Sequence, residues 1–400
     1  MQAGPEARRA LVAAALGWML DAMDVLLYSF VLDHVRASFG IDDRVSGLLL
    51  ALPLIASAFG GALFGWLADR LGRVTALQLS ILVYSGATAA CALSQSALQL
   101  GIARVILGLG IGGEWSTGAS LVAETWPAEH RGKALGIMQS AWAVGYAAAA
   151  GVNALVLPRF GWRAVFLVGL LPALLVFWIR RHVEEPAIWV ANRAEGPSRA
   201  ALTDVFLGRQ ARVTWTITIM NAATMFGWWG LFSWIPSYLT RPIADGGAGL
   251  SLVRSSMWIA LMQVGMWLGY VSFGFVSDIV GRRPAYVAYL LIAAALVPAY
   301  ANAGESGLLL IGPCLAFFGT GYFSGFGAVT SELFPTTVRA TAQGLTYNMG
   351  RLLSAFAPYI VGMLAASHGL SAAFLSAAAA FLVAATLWIW IPETRGRALT

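Results

Sequence analysis

Gly65-Trp66-Leu67-Ala68-Asp69-Arg70-Leu71-Gly72-Arg73 returns 209 residues later as Gly274-Phe275-Val276-Ser277-Asp278-Ile279-Val280-Gly281-Arg282. A second stretch, Glu124-Thr125-Trp126-Pro127-Ala128-Glu129-His130-Arg131, returns as Glu332-Leu333-Phe334-Pro335-Thr336-Thr337-Val338-Arg339 at an offset of 208. Two separate matches at nearly one offset mark a chain built from two copies of one plan. What surrounds the copies says what kind of plan. The 400 residues are 59% hydrophobic and 11% charged, with a mean hydropathy of +0.73. A soluble domain carries about 25% charged residues, so the composition is that of a chain living mostly in lipid. Residues 74–103, 214–240 and 284–304 contain no Asp, Glu, Lys or Arg, and each exceeds the roughly 20 residues that a spanning helix needs.

Apolar runs between charged or Pro/Gly-marked turns predict twelve helices over 10–32, 45–67, 74–94, 98–122, 133–156, 162–179, 213–239, 252–276, 284–302, 306–330, 338–363 and 370–391. The predicted fold class is an all-α polytopic membrane protein of two pseudo-symmetric six-helix halves. Residues 1–180 form the first half, 181–212 a cytoplasmic linker and 213–400 the second half. With the amino terminus inside, 17 of the 25 basic residues fall on inside segments, six on outside loops and two, Arg104 and Arg351, within spans. The positive-inside rule then places both termini in the cytoplasm. The net charge of +6 needs no nucleic-acid partner, because membrane orientation alone requires the basic excess. Arg8 and Arg9 ahead of Leu11–Leu20 have the look of a cleavable signal, but Asp21 and Asp24 interrupt the apolar run.

Paired six-helix halves with a site at their interface are a transporter architecture. The motif Gly65 to Arg73 is also where this chain resembles the major facilitator superfamily, over its whole length. Within it the chain is similar to the metabolite:proton symporters for organic acids, the sialate, lactate, aromatic-acid and nicotinate carriers. Four local matches carry this: Asp21-Ala22-Met23-Asp24, Arg104 ahead of Gly108-Leu109-Gly110-Ile111-Gly112-Gly113-Glu114-Trp115, Tyr347-Asn348-Met349-Gly350-Arg351, and Pro392-Glu393-Thr394-Arg395-Gly396. Aromatic-acid carriers typically have Gly where Ala22 stands here. The resemblance implies proton-coupled import of a small organic carboxylate by alternating access in the plasma membrane, the inner membrane of a bacterium. Sugar uptake and drug/proton antiport are the alternatives. The expected partners are a small organic anion, protons and the lipid bilayer, with the protein a monomer.

A charge at the bilayer centre costs at least about 2.5 kcal/mol on insertion scales, so such residues face the protein interior and mark a pathway. Asp21 and Asp24, three apart, share one helix face. Together with Arg104 and Glu114 they are the proton-coupling candidates, and the resemblance supports a pairing of Asp24 with Arg104. Glu114 stands ten residues beyond Arg104 and faces an adjacent sector. Arg351 is the candidate for the substrate carboxylate, which a guanidinium holds bidentately; pairing with a carboxylate of span 1 or 4 is the competing reading. Asn348, Gln139, Tyr146, Asn221, Gln263 and Trp228 are further substrate-binding candidates. Most of the 16 tryptophans read as interfacial anchors. Asp69, Arg73, Glu124 and Arg131 and their repeats Asp278, Arg282, Glu332 and Arg339 form, by resemblance, an inner gate of ion pairs, each worth about 0 to 1 kcal/mol if exposed. No cofactor, metal or enzymatic activity is expected: His34, His130, His182 and His368 lie near loops without ligand partners at helical spacing.

Overall fold

One residue separates the two helices that flank each copy of the long motif. The computed structural model describes residues 4–41, 43–194 and 204–399; residues 195–203 of the predicted linker, Arg199 among them, lie outside the described residues. In the first copy α2 (Asp43–Leu71) ends where α3 (Arg73–Leu93) begins, after α1 (Pro5–Phe39). The single residue between is Gly72 with φ +114, and its counterpart Gly281 has φ +110. So sharp a reversal needs backbone angles that only glycine adopts without strain.

The chain continues through α4 (Ala97–Thr125), α5 (Arg131–Val168), α6 (Pro172–His182) and the short α7 (Ala187–Ala194). There follow α8 (Gly208–Phe232), α9 (Ile235–Thr240), α10 (Leu252–Val280), α11 (Arg282–Ala301), α12 (Glu305–Gly321), α13 (Phe323–Leu333), α14 (Arg339–Ser354), α15 (Ala357–His368) and α16 (Leu370–Leu387). Among the described residues there is no strand. Among the described residues nine stretches are long and apolar enough to cross a membrane, and one of them, residues 128–182, holds two predicted spans bent at Gly161. The predicted seventh and eleventh spans are absent from the nine. Each is a broken helix, interrupted at Ser233-Trp234 and at Ala355-Phe356. The eleventh also carries Thr341, Gln343, Thr346, Asn348 and Arg351 on buried faces. Discontinuous helices are tolerated at membrane depth where protein or a cavity satisfies the freed backbone.

The motif turns lie on the face of the bundle that bears both termini, and there the halves are locked. Glu124 accepts two bonds from Arg73, at 2.9 and 2.8 Å, and one from Arg339 of the other half at 2.6 Å. Glu332 repeats this, accepting from Arg282 at 3.3 and 2.9 Å and from Arg131 across the interface at 3.0 Å. Asp69 receives the first amides of α14, Ala340 N at 3.1 Å and Thr341 N at 2.9 Å; Asp278 receives those of α5, Gly132 N at 3.1 Å and Lys133 N at 2.9 Å. A carboxylate there meets unpaired N–H groups and the positive end of the helix dipole. The side chains of Arg73, Glu124, Arg339, Arg282 and Glu332 are fully buried. The exposed-pair value expected from sequence is therefore the wrong scale: removing one partner strands a buried charge, which costs about 3 to 5 kcal/mol.

Small residues let these helices meet. A Cβ on Gly65 would stand 2.9 Å from the Ala340 carbonyl carbon, and one on Gly274 would stand 3.1 Å from the Gly132 carbonyl carbon. Gly65→Leu is accordingly expected to hold α2 off α14. Alkylation of a cysteine placed at the buried Ala68 should then accelerate at least about fivefold; an unchanged rate would show that the interface tolerates the side chain.

Candidate functional site

Away from that locked face a funnel runs into the bundle. Its outer part, about 920 Å³ of space, is lined by Leu26 of α1, Trp142 and Tyr146 of α5, Trp228, Trp229 and Phe232 of α8, and Met262, Gln263 and Tyr270 of α10. It narrows to an inner chamber of about 430 Å³ walled by Trp18, Gln139, Trp142, Met225, Trp228, Trp229, Tyr270, Phe323, Tyr347 and Arg351. The two share Trp142, Trp228, Trp229 and Tyr270, so they are one path. The conformation is closed on the face with the termini and open on the other.

The chamber is built from ring faces. Trp18 and Trp142 stand 4.7 Å apart, Trp228 and Trp229 meet edge to face at 4.7 Å, and Tyr347 stacks on Trp115 at 3.9 Å. Trp115 donates to Gln139 Oε1 at 3.1 Å and Trp228 to Thr320 at 3.3 Å, which locks both indoles. The indole N–H of Trp18 is buried without an acceptor among the described residues. Among the described residues Arg351 is the one charged residue lining the chamber. Its guanidinium lies 5.9 Å from the Tyr347 ring centre, and no hydrogen bond or ion pair of its side chain occurs among the described residues. A cation that most folds would neutralise is held unpaired at the end of an apolar path. That is a receptor for an anion.

Behind the wall three carboxyl groups lie inside the first half. Asp21 and Glu114 are wholly buried and Asp24 is 1% exposed. Both oxygens of Asp21, both of Glu114 and Oδ1 of Asp24 lack a hydrogen-bond partner among the described residues. Glu114 rests against Gly17 of α1, one turn before Asp21. Arg351 acts electrostatically on Asp21, and Asp21 on Glu114, so the acids connect to the anion receptor without lining it.

The expected pairing of Asp24 with Arg104 is absent in this conformation. Asp24 accepts from Thr88 at 3.1 Å, while Arg104 donates to the Leu49 carbonyl at 2.6 Å and lies 3.8 Å over the Tyr28 ring. A carbonyl and the face of Tyr28, one turn beyond Asp24 on α1, satisfy the guanidinium instead. Asn348 and Asn221, both expected at the substrate, are placed elsewhere. The Asn348 amide donates to Gly112 and Gly344 carbonyls at 3.1 and 2.9 Å, tying α14 to α4, and that of Asn221 donates to Thr346 at 3.3 Å. Gln139 lies in the inner chamber, Tyr146 and Gln263 in the outer part and Trp228 in both.

Sequence reasoning passed over Trp18, Trp142, Tyr270, Phe323 and Tyr347. Position within the span was the available signal, since a tryptophan far from either helix end is not an interfacial anchor. It also passed over Glu185. This carboxylate accepts from Val74 N at 3.1 Å and Thr75 N at 3.1 Å at the start of α3, and Glu393 does the same for Arg282 N at 2.9 Å and Arg283 N at 3.0 Å at the start of α11. The offset is 208 once more. Burial pushes the half-buried Glu185 above the usual range against its amide bonds, whereas at the exposed Glu393 four backbone N–H donors outweigh burial and hold the carboxyl below it.

The family model of the Major Facilitator Superfamily matches residues 14–271 and, a second time, 243–400. The chain belongs to the major facilitator superfamily. Similar members include the cis,cis-muconate transport protein of Acinetobacter baylyi, 31% identical with 94% of this chain and 91% of that protein covered. The sialic acid transporter NanX of Escherichia coli is 29% identical, covering 95% of this chain and 93% of the other. Among solved structures, the proton:xylose symporter XylE superposes with a TM-score of 0.80 at 20% identity, covering 98% of each chain. As a facilitator-superfamily member the protein is an integral membrane transporter and not an enzyme, with that fold's twelve spans in two six-helix halves.

Proposed function

We propose that the protein imports a small, flat organic carboxylate together with protons by alternating access, from the funnel side to the side of the termini. The unpaired Arg351 in a chamber of aromatic faces carries this reading. An ion-pairing guanidinium sets the class as anionic, and the ring walls favour a planar unsaturated or aromatic body. The relative that transports cis,cis-muconate supports the same class. A polyhydroxylated sugar or sialate would need many hydrogen-bond partners that accept as well as donate, and beside Arg351 the chamber offers Gln139, two tyrosine hydroxyls and indole N–H groups that only donate. The cationic substrates common in drug export would be repelled by Arg351.

Proton coupling is assigned to Asp24, Asp21 and Glu114. Burying a carboxyl this deep without partners costs most when it is ionised, which favours proton carriage at this site. Opening of the face with the termini would hydrate Asp24 and release its one proton there, with Asp21 and Glu114 the alternative carriers. Arg104, next to Tyr28 and the Leu49 carbonyl, is within this half to receive Asp24 once ionised. The termini then lie in the cytoplasm and the locked network is the inner gate, shut while substrate loads.

The direct test is uptake into proteoliposomes of labelled benzoate, cis,cis-muconate and nicotinate, against sialate and xylose, under an inward proton gradient. One proton per monoanion is expected to give about tenfold accumulation per pH unit. Asp24→Asn should abolish accumulation yet retain exchange, since the amide imitates the protonated acid without cycling. Uptake of xylose with no carboxylate would sink the reading. Gradient-driven uptake surviving in Asp24→Asn would move the proton to Asp21 or Glu114.

A further inference from the structure

Arg351 belongs to two cavities. Besides the chamber it closes the inner end of a lateral slot of about 1040 Å³ between α2 and the helix breaks of α8–α9 and α14–α15, walled by Ala51, Leu54, Ile55, Trp229, Ala355 and Phe356. Trp229 stands between the two spaces and borders both. Apart from Arg351 and Ser233 the slot is apolar. Its mouth opens at the bundle surface, where Ile55 is 43% and Phe356 64% exposed. Ala51 to Ile55 are the first turn and a half of the apolar span Ala51–Leu71, so the mouth faces the outer part of the hydrocarbon layer. Beyond the slot Trp234 donates to the Pro358 carbonyl at 2.9 Å, bolting one broken helix to the other so that the gap beneath is a fixed feature of both breaks.

An apolar slot open to lipid with a cation at its closed end matches an amphipathic acid. We propose that it takes the tail of an alkyl- or aryl-extended monocarboxylate arriving from the outer half of the bilayer, with the carboxylate on Arg351. This rests on Arg351 being the anion receptor. The substrate class thereby widens from flat acids dissolved in water to flat acids bearing an apolar substituent, and the substituent leaves through the slot while the acid occupies the chamber.

The test compares binding of benzoate and 4-hexylbenzoate to the full-length protein in lipid nanodiscs, with partition into empty nanodiscs subtracted. Wild type is expected to bind 4-hexylbenzoate at least about tenfold more tightly, since a buried six-carbon tail adds substantial transfer free energy. Ala51→Phe and Ala355→Phe fill the slot from opposite walls, and each should remove that gain while leaving benzoate affinity within about twofold. Equal affinities in wild type, or a gain that survives both substitutions, would overturn the proposal. So would a copurified phospholipid, seen by native mass spectrometry, that 4-hexylbenzoate fails to displace. Wild type that binds neither acid defeats the Arg351 reading beneath it, an outcome distinct from binding benzoate without a tail effect.

Discussion

Arg351→Ala is expected to weaken carboxylate binding by about 100-fold or more with the fold intact. Truncating one partner of a desolvated charge pair costs about 2 to 5 kcal/mol, and every 1.4 kcal/mol is tenfold in affinity. The fold survives because this side chain holds nothing else: it has no hydrogen bond or ion pair to lose among the described residues. The arginines of the gate contrast with it. Arg73 makes five side-chain bonds, two of them to backbone carbonyls. Calorimetric titration of benzoate and cis,cis-muconate measures the first half of the expectation, and the thermal midpoint in detergent, unchanged within about 2 °C, the second. Arg351→Lys keeps the charge and loses the planar fork, so an intermediate loss is expected. Near-normal affinity in Arg351→Ala would remove the residue from the site.

Glu124→Gln should open the face that bears the termini. The carboxylate serves Arg73 of its own half and Arg339 of the other, all with fully buried side chains. Neutralising it leaves two buried guanidinium groups short of their counter-charge, about 3 to 5 kcal/mol. Part of that penalty is relieved when the halves separate and water reaches Arg339. A bias of about 3 kcal/mol shifts a two-state equilibrium by more than 100-fold, enough to invert the populations. Spin labels at Glu129→Cys and Thr337→Cys, exposed positions on either side of the interface, would report this as a longer distance in double electron–electron resonance. A distribution unchanged from that of the parent would mean that Glu332 and the helix-capping aspartates hold the face alone. By the repeat, Glu332→Gln is expected to behave alike, since Arg282 and Arg131 converge on it in the same manner.

The twofold plan, the twelve spans and the partners of the gate were legible in the chain because each rests on local or repeated information. Spanning helices follow from runs of apolar residues, whose transfer energies add along the sequence. The repeats at 209 and 208 single out the acids and arginines of the gate without saying which meets which, and the glycine between Asp69 and Arg73 names the turn, because no other residue type adopts φ near +114 without strain. Arg351 stood out, with Asp21, Asp24, Arg104 and Glu114, by the cost of a charge in the membrane alone.

Contacts between helices distant in sequence were a different matter. Arg104 and Asp24 attract on paper, yet which face of α4 the arginine occupies depends on where Tyr28 and the Leu49 carbonyl fall, and no periodicity encodes that. Asn348 and Arg351 share α14 three residues apart; one ties that helix to a backbone on α4 and the other faces the chamber. The aromatic lining comes from α1, α5, α8, α10, α13 and α14, and each ring alone is indistinguishable from packing. A chamber is a property of the gaps between helices, set by crossing angles and the two helix breaks. The sequence by itself determined the helices, their pseudo-symmetry and the charges that must be sheltered; only the tertiary structure decided which charges meet, which stay unpaired, and that the unpaired one looks into both a funnel and a slot.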